Sequence, residues 1–195
     1  MFVTFEGMDG SGKSTQASLL AEHLHGLGHE VVATREPGGT PFGERVRELL
    51  LDGEPMTPWA EAALFAAARA ELAERVIRPA LARGADVVCD RYLDSSLVYQ
   101  GVARDLGVER VLELNVAVSD LLPDRTIVLV IDPATAAARS GGAPDRIERE
   151  TDDFRAALAE GYRGLAERFP ERVVVLDGAR PVGELAARVR EALGV

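Results

Sequence analysis

The sequence predicts an α/β domain in which a parallel sheet carries helices on both faces. Strand-like and helical segments alternate from one end to the other, with no repeat or low-complexity linker between them, as a parallel sheet with crossover helices requires. The most turn-rich stretch, Arg35-Glu36-Pro37-Gly38-Gly39-Thr40-Pro41, follows a strand. Loops after strands gather at the ligand-binding edge of such sheets.

Taken in order, Val3–Phe5 is a short strand, and Ala17, Leu20, Leu24 and Leu27 mark one face of the helix after it. Glu30–Ala33 and Asp86–Cys89 are further runs rich in β-branched residues, and between them a long helix is predicted from Pro58 to Arg83. Thr126–Ile131 and Val173–Leu176 complete five strands. Phe154, Leu158, Tyr162, Leu165 and Phe169 keep helical spacing, as do Val182, Leu185, Ala186, Val189 and Leu193. Ser140-Gly141-Gly142-Ala143-Pro144, flanked by Arg139, Arg146 and Arg149, breaks the rhythm and is expected to form a short lid around residues 139–150.

At 195 residues the chain is read as a single domain, residues 1–195, long enough to bury a real core. Its net charge of −10 argues against a nucleic-acid or membrane-surface partner, whose electrostatic footprint would be basic. An anionic ligand must therefore meet a local arginine cluster. The single cysteine, Cys89, excludes an intramolecular disulfide and reads as a buried core thiol in a reducing compartment. No leader pattern precedes the first strand and no apolar run approaches a bilayer span, so a cytoplasmic protein is expected. His23, His25 and His29 crowd one turn, but no cysteine or paired carboxylate completes a metal-ligand set there.

Gly7-Met8-Asp9-Gly10-Ser11-Gly12-Lys13-Ser14 matches the pattern G-x-x-x-x-G-K-[ST] in full, between a strand and a helix as a P-loop requires. Lys13 is the only lysine; every other basic position except the histidines is arginine. That contrast points to a place where a compact ammonium does what a planar guanidinium cannot. In a P-loop the glycines let successive N–H groups face phosphate oxygens, the Lys reaches the β/γ-phosphates and the Ser hydroxyl ligates Mg²⁺.

Asp90-Arg91-Tyr92 follows the third strand and should lie beside the P-loop. Asp90 there suits Mg²⁺, usually held through water; the structural alternative is that it caps a helix or pairs with Arg91. Arg35 ends the second strand, and with Arg91 it offers guanidinium forks to a second phosphate-bearing substrate, or a solvated charge. Phe65 and Arg69 are one helical turn apart, a ring and a donor that together suit a nucleobase. Taken alone, Phe65 reads first as plain core, where a phenylalanine is found by default. Tyr99 and Gln100 offer polar tips that could read a sugar or base, or cap local structure.

In order and spacing, these segments resemble the bacterial-type thymidylate kinases. The resemblance rests on Phe5 through Gln16, Thr34 through Thr40, Leu64-Phe65-Ala66-Ala67-Ala68-Arg69, Asp90 through Gly101, and Asp145-Arg146-Ile147-Glu148. It implies a P-loop NTPase fold of three α/β/α layers with five parallel strands in the order 2-3-1-4-5, and a homodimer. It further implies transfer of the ATP γ-phosphoryl to dTMP, giving dTDP and ADP for dTTP biosynthesis, with Mg²⁺.

By the same resemblance Gly7, Met8, Asp9, Gly10, Ser11, Gly12, Lys13, Ser14 and Thr15 hold ATP, with Arg139 against its adenine, and Ser14 and Asp90 serve the metal. Phe65 stacks on thymine, Arg69 donates to a thymine carbonyl, and Ser96 and Gln100 help read the base. Tyr99 packs where a ribose 2′-hydroxyl would intrude. Asp9 faces the sugar 3′-hydroxyl, and Arg35 and Arg91 hold the acceptor phosphate. Lys13, Arg91, Arg146 and Asp9 form the implied catalytic set. The sequence departs from many relatives in lacking extra arginines between Arg139 and Arg146, and no arginine occupies the variable P-loop positions. The transferring phosphoryl is then expected to meet Arg146, with Arg149 as a further lid cation.

The competing readings are a P-loop kinase for another monophosphate or a deoxynucleoside, a nucleotide-hydrolysing switch, and a protein that only binds nucleotide. A guanine-reading Asn-Lys-x-Asp element is absent, since Lys13 has no fellow lysine.

Overall fold

The structure, a computed structural model, describes residues 1–139, 146–147 and 149–195. The expected Ser140–Pro144 lid loop, with Asp145 and Glu148, lies outside the described residues. Five parallel strands, β1 (Phe2–Gly7), β2 (Val31–Arg35), β3 (Asp86–Asp90), β4 (Arg125–Val130) and β5 (Val173–Asp177), form one sheet in the order β2-β3-β1-β4-β5. Each strand centre was legible as a β-branched run. The starts of β3 and β5 fall where expected and the other boundaries differ by one or two residues; β1, β2 and β3 run on because hydrogen bonding continues past the last apolar side chain into Glu6-Gly7, Arg35 and Asp90.

Successive strand residues feed opposite faces of the sheet, as the pleat dictates. Phe2, Val87, Cys89 and Val128 join one core with Leu72, Ile77, Leu97 and Tyr162. Val3, Phe5, Val88, Ile127 and Leu129 join the other with Leu20, Leu24, Leu185 and Val189. The second core is covered by α1 (Lys13–Gly26) and α9 (Val182–Leu193). Leu27 and Val182, expected on the apolar faces of these helices, are instead 56% and 55% exposed. Leu27 is the residue past the end of α1 and Val182 the first of α9, so neither sits over the sheet.

The first core is covered by α3 (Pro58–Leu72), its continuation and α8 (Asp152–Arg168), with α2 (Pro41–Leu51) packed against α3. Thr40-Pro41 and Thr57-Pro58 start α2 and α3 alike: the threonine hydroxyl accepts from Gly43 N or Ala60 N, and Pro occupies the first turn. Pro there gives up only an N–H that a helix leaves unpaired. The helix predicted as continuous from Pro58 to Arg83 is continuous, but Ala73–Ile77 winds as a π-helical turn before α4 (Arg78–Ala82).

After β3 the chain forms α5 (Leu93–Ser96), a second π-helical segment, Leu97–Ala103, and α6 (Val108–Val118); α7 (Pro133–Arg139) follows β4. Below the site, Asp94 is fully buried and receives both Nη1 and Nη2 of Arg172, at 2.6 and 2.7 Å, together with Thr126 Oγ1. This fork ties α5 to the chain entering β5.

Candidate active site

Strand register assembles the site. Phe5 and Arg35 both pair with Asp90, so the carboxyl ends of β1, β2 and β3 lie side by side. Gly7 closes β1 at φ 137°, and an added Cβ would stand 2.4 Å from the Leu129 carbonyl oxygen. The close approach of β4 therefore demands glycine here. Gly10 and Gly12 also take positive φ, and Gly12 precedes α1. The unpaired N–H groups and positive dipole end of α1 thus face the loop, a ready anion site.

Lys13 is buried, donating to Met8 O at 2.8 Å and lying 3.5 Å from Asp9 Oδ1. Burial, reinforced by the nearby Arg91 charge, lowers its pKa to about 8. Ser14 Oγ donates to Asp90 Oδ2, while Asp90 Oδ1 is buried with no hydrogen-bond partner. Asp90 is thus turned toward the P-loop rather than paired with Arg91. A cleft runs along Gly10 to Gln16 and past Arg139, Gly178, Ala179 and Pro181. Arg139 is held at its rim by donation to Gly178 O at 2.8 Å.

A second cavity is lined by Glu36, Arg47, Phe65, Arg91, Ser96, Tyr99 and Gln100 among others. Asp9 lines both spaces, so they meet at the P-loop. Arg91 stands at that junction. Its Nη2 donates to Asp9 Oδ1 at 2.6 Å and its Nη1 to Ser95 Oγ and Tyr162 OH, with the guanidinium over the Tyr99 ring. Burial alone would raise the Asp9 pKa, but Arg91 and Lys13 outweigh it and hold the carboxyl well below its usual range.

Arg91 has φ 66°, a left-handed conformation that costs a non-glycine residue about 1–3 kcal/mol. Glu6 helps hold it there. This buried carboxylate accepts from Tyr92 N at 2.8 Å and Ser95 Oγ at 2.5 Å, and burial together with the charge of Asp94 raises its pKa to about 7.

Arg69 is 2% exposed and more heavily bonded than its sequence position suggested. Its Nη groups donate to Ser96 Oγ, Asn115 Oδ1, Tyr92 O and Glu36 Oε2, the last at 2.5 Å, leaving Nε without a partner. Glu36 is buried beside it, and burial pushes that carboxyl up to about 7.

Three expected site residues stand elsewhere. Arg69 lies behind Ser96 and does not itself line the second cavity. Arg35 is exposed and donates to Glu44, so it does not line the second cavity. Arg146 is not at the P-loop: its Nε donates to Leu50 O and its Nη2 to Glu61 Oε2, at 2.8 and 2.7 Å. A buried carboxylate and a free helix-end carbonyl hold this guanidinium on the far side of the second cavity.

Sequence reasoning missed Glu6, Glu36 and Glu61. The first two sit inside motifs already singled out. Glu61 lies four residues before Phe65, which is four before Arg69, so helical spacing alone places all three on one face of α3.

A parallel sheet of this order, a P-loop with its lysine and a strand-end Asp facing it, and an adjoining cavity lined by half-buried Arg47 and Arg91 together define a P-loop nucleotide kinase. The comparisons narrow this further. The protein-family model for thymidylate kinase matches residues 5–189. The thymidylate kinase of Symbiobacterium thermophilum is 50% identical over 97% of this chain and 91% of its own length. That of Deinococcus radiodurans is 44% identical over 97% and 94%. The crystal structure of thymidylate kinase from Ehrlichia chaffeensis superposes with a TM-score of 0.82 at 34% identity, over 99% of this chain and 98% of that one. The chain belongs to the thymidylate kinase family.

Proposed function

We propose that the P-loop cleft binds Mg-ATP, that the second cavity binds dTMP, and that the γ-phosphoryl passes between them at Asp9 to give dTDP and ADP. The carrying observation is that Asp9 lines both spaces with Arg91 and Lys13 against it. In the transfer a dTMP phosphate oxygen forms the new bond to Pγ while the bond from Pγ to the bridging β-oxygen breaks. The acceptor is already anionic at neutral pH, so no strong base is needed; positioning and charge stabilisation carry catalysis.

Lys13 leaves the Met8 carbonyl for the β/γ-phosphates. Arg91, already desolvated and forked between Asp9, Ser95 and Tyr162, takes the acceptor phosphate. Arg35 reaches it only by releasing Glu44, and Arg146 reaches the transferring phosphoryl only by releasing Glu61. Arg139 and the Gly178–Pro181 turn flank the adenine. Phe65, on the cavity wall, faces the thymine ring, and Ser96 and Gln100 supply its polar contacts, with Arg69 behind Ser96. Tyr99 fills the space beside the sugar.

The donor set suits Mg²⁺. A serine hydroxyl and a carboxylate with a partnerless oxygen are hard oxygen ligands, and Mg²⁺ typically takes one or two of these with phosphates and water completing its shell. Ser14 and Asp90 would hold the ion, and it would supply positive charge to offset that of the phosphates during transfer. Among the described residues no helix is long and apolar enough to cross a membrane. We assign the enzyme to the cytoplasm and, with family membership and the exposed apolar Val116, Val118 and Leu122 as support, to a homodimer.

Presenting dTMP, dUMP, UMP and AMP in turn with Mg-ATP, and identifying products chromatographically, tests the acceptor. dTDP should dominate; preferential turnover of AMP or UMP would reassign the cavity.

A further inference from the structure

Gln100 lines the proposed acceptor cavity with its side-chain amide in one fixed sense. Its Nε2 donates to Glu61 Oε1 at 2.9 Å, and its Oε1 is buried with no hydrogen-bond partner. An amide can be turned end for end at little intrinsic cost, so something must set its polarity. Glu61 does this. It is 1% exposed yet remains a carboxylate: burial alone would raise its pKa, but hydrogen bonds from Gln100, Arg104 and Arg146 outweigh that and lower it. An ionised carboxylate only accepts hydrogen bonds, so a Gln100 carbonyl turned toward it would meet repulsion in a dry site.

The polarity has a chemical consequence. With Nε2 held by Glu61, the free end of Gln100 is an acceptor, and its match is a base carrying a ring N–H. Thymine and uracil carry N3–H; cytosine presents a bare N3 lone pair at the same place and would face Oε1 lone pair to lone pair.

We propose that Glu61 is a specificity-determining positioning residue, which locks the Gln100 amide with its carbonyl toward the base and so selects acceptors bearing N3–H over cytosine nucleotides. Glu61 touches no substrate; it acts through Gln100. Arg104 grips both carboxylate oxygens, Nε to Oε1 and Nη2 to Oε2, each at 3.2 Å, and so keeps Glu61 in place even when Arg146 Nη2, at 2.7 Å from Oε2, is released.

This rests on reading the second cavity as the dTMP site. The test is the ratio of kcat/KM for dTMP to that for dCMP in the full-length enzyme and in E61Q and E61D. A glutamine at 61 can meet either end of the Gln100 amide, so the ratio should fall about ten- to a hundredfold, the scale of one buried hydrogen-bond mismatch. An aspartate keeps an acceptor-only group, and E61D should hold the ratio within about threefold while losing turnover on both substrates. A purely structural role for Glu61 would lower both substrates together and leave the E61Q ratio unchanged, which overturns the proposal. So does a collapse of the ratio in E61D, which is decisive by itself if E61Q does not fold. If the unaltered enzyme does not phosphorylate dTMP, the reading of the cavity fails instead.

Discussion

Lys13 shows how one residue's environment sets its chemistry. Buried against Met8 O and crowded by Arg91, its ammonium releases its proton near pH 8 rather than at the ordinary 10.5. Only the charged form binds phosphate, so kcat/KM for ATP should be level below about pH 8 and fall as pH rises through it, since that parameter reports the free enzyme. Stability of the unliganded protein should move the other way. Between about 8 and 10.5 the unfolded chain holds a proton that the folded one has lost, so this residue's contribution to stability grows as pH rises. Opposite trends in the two measurements identify Lys13; a common trend would assign the limb to another group. Lys13→Ala should remove the limb and lower kcat about 10²–10³-fold in steady-state assays. The P-loop lysine was plain in the sequence because a motif with a physical reason fixed its place. The roles of Glu36 and Glu61 were not, because a glutamate on a helix face or in a loop looks alike whether it meets solvent or a buried arginine.

At the scale of elements, β1 and its turn are held by close backbone approach. Gly7→Ala places a Cβ 2.4 Å from Leu129 O at a φ of 137°, so it should destabilise the fold by at least about 1–3 kcal/mol and disturb phosphate binding at once. Urea unfolding and ATP affinity measured on the same variant should therefore fall together; a variant with normal stability would contradict the packing described. Strand existence was legible because short β-branched runs between turns have few other uses. Strand ends were not, since Arg35 and Asp90 extend β2 and β3 through backbone pairing that side-chain patterns do not record. The π-helical turns at Ala73–Ile77 and Leu97–Ala103 likewise left no trace in apolar spacing, though the second carries Tyr99 and Gln100 to the cavity.

For the whole molecule, the Arg172–Asp94 fork is a long-range tie: residues 78 apart in sequence close the sheet beneath the site. Arg172→Ala leaves a fully buried carboxylate unpaired and should cost about 3–5 kcal/mol in equilibrium unfolding; a loss under about 1 kcal/mol would show that Asp94 reaches water instead. Neither partner drew notice in the sequence as a pair, because nothing local connects them. The overall architecture was legible from alternation alone, and the strand order from the resemblance, as the sheet bears out. The positions of Arg35 and Arg146 were not, because in this structure both spend their charge on nearby glutamates. The central claim is that two spaces meeting at Asp9 exchange a phosphoryl group. Its most direct measurement is ADP release from Mg-ATP with and without dTMP, with the nucleotide products resolved. ADP and dTDP forming in equal amounts, only when dTMP is present, is the predicted result. ADP forming at the same rate without an acceptor would contradict it.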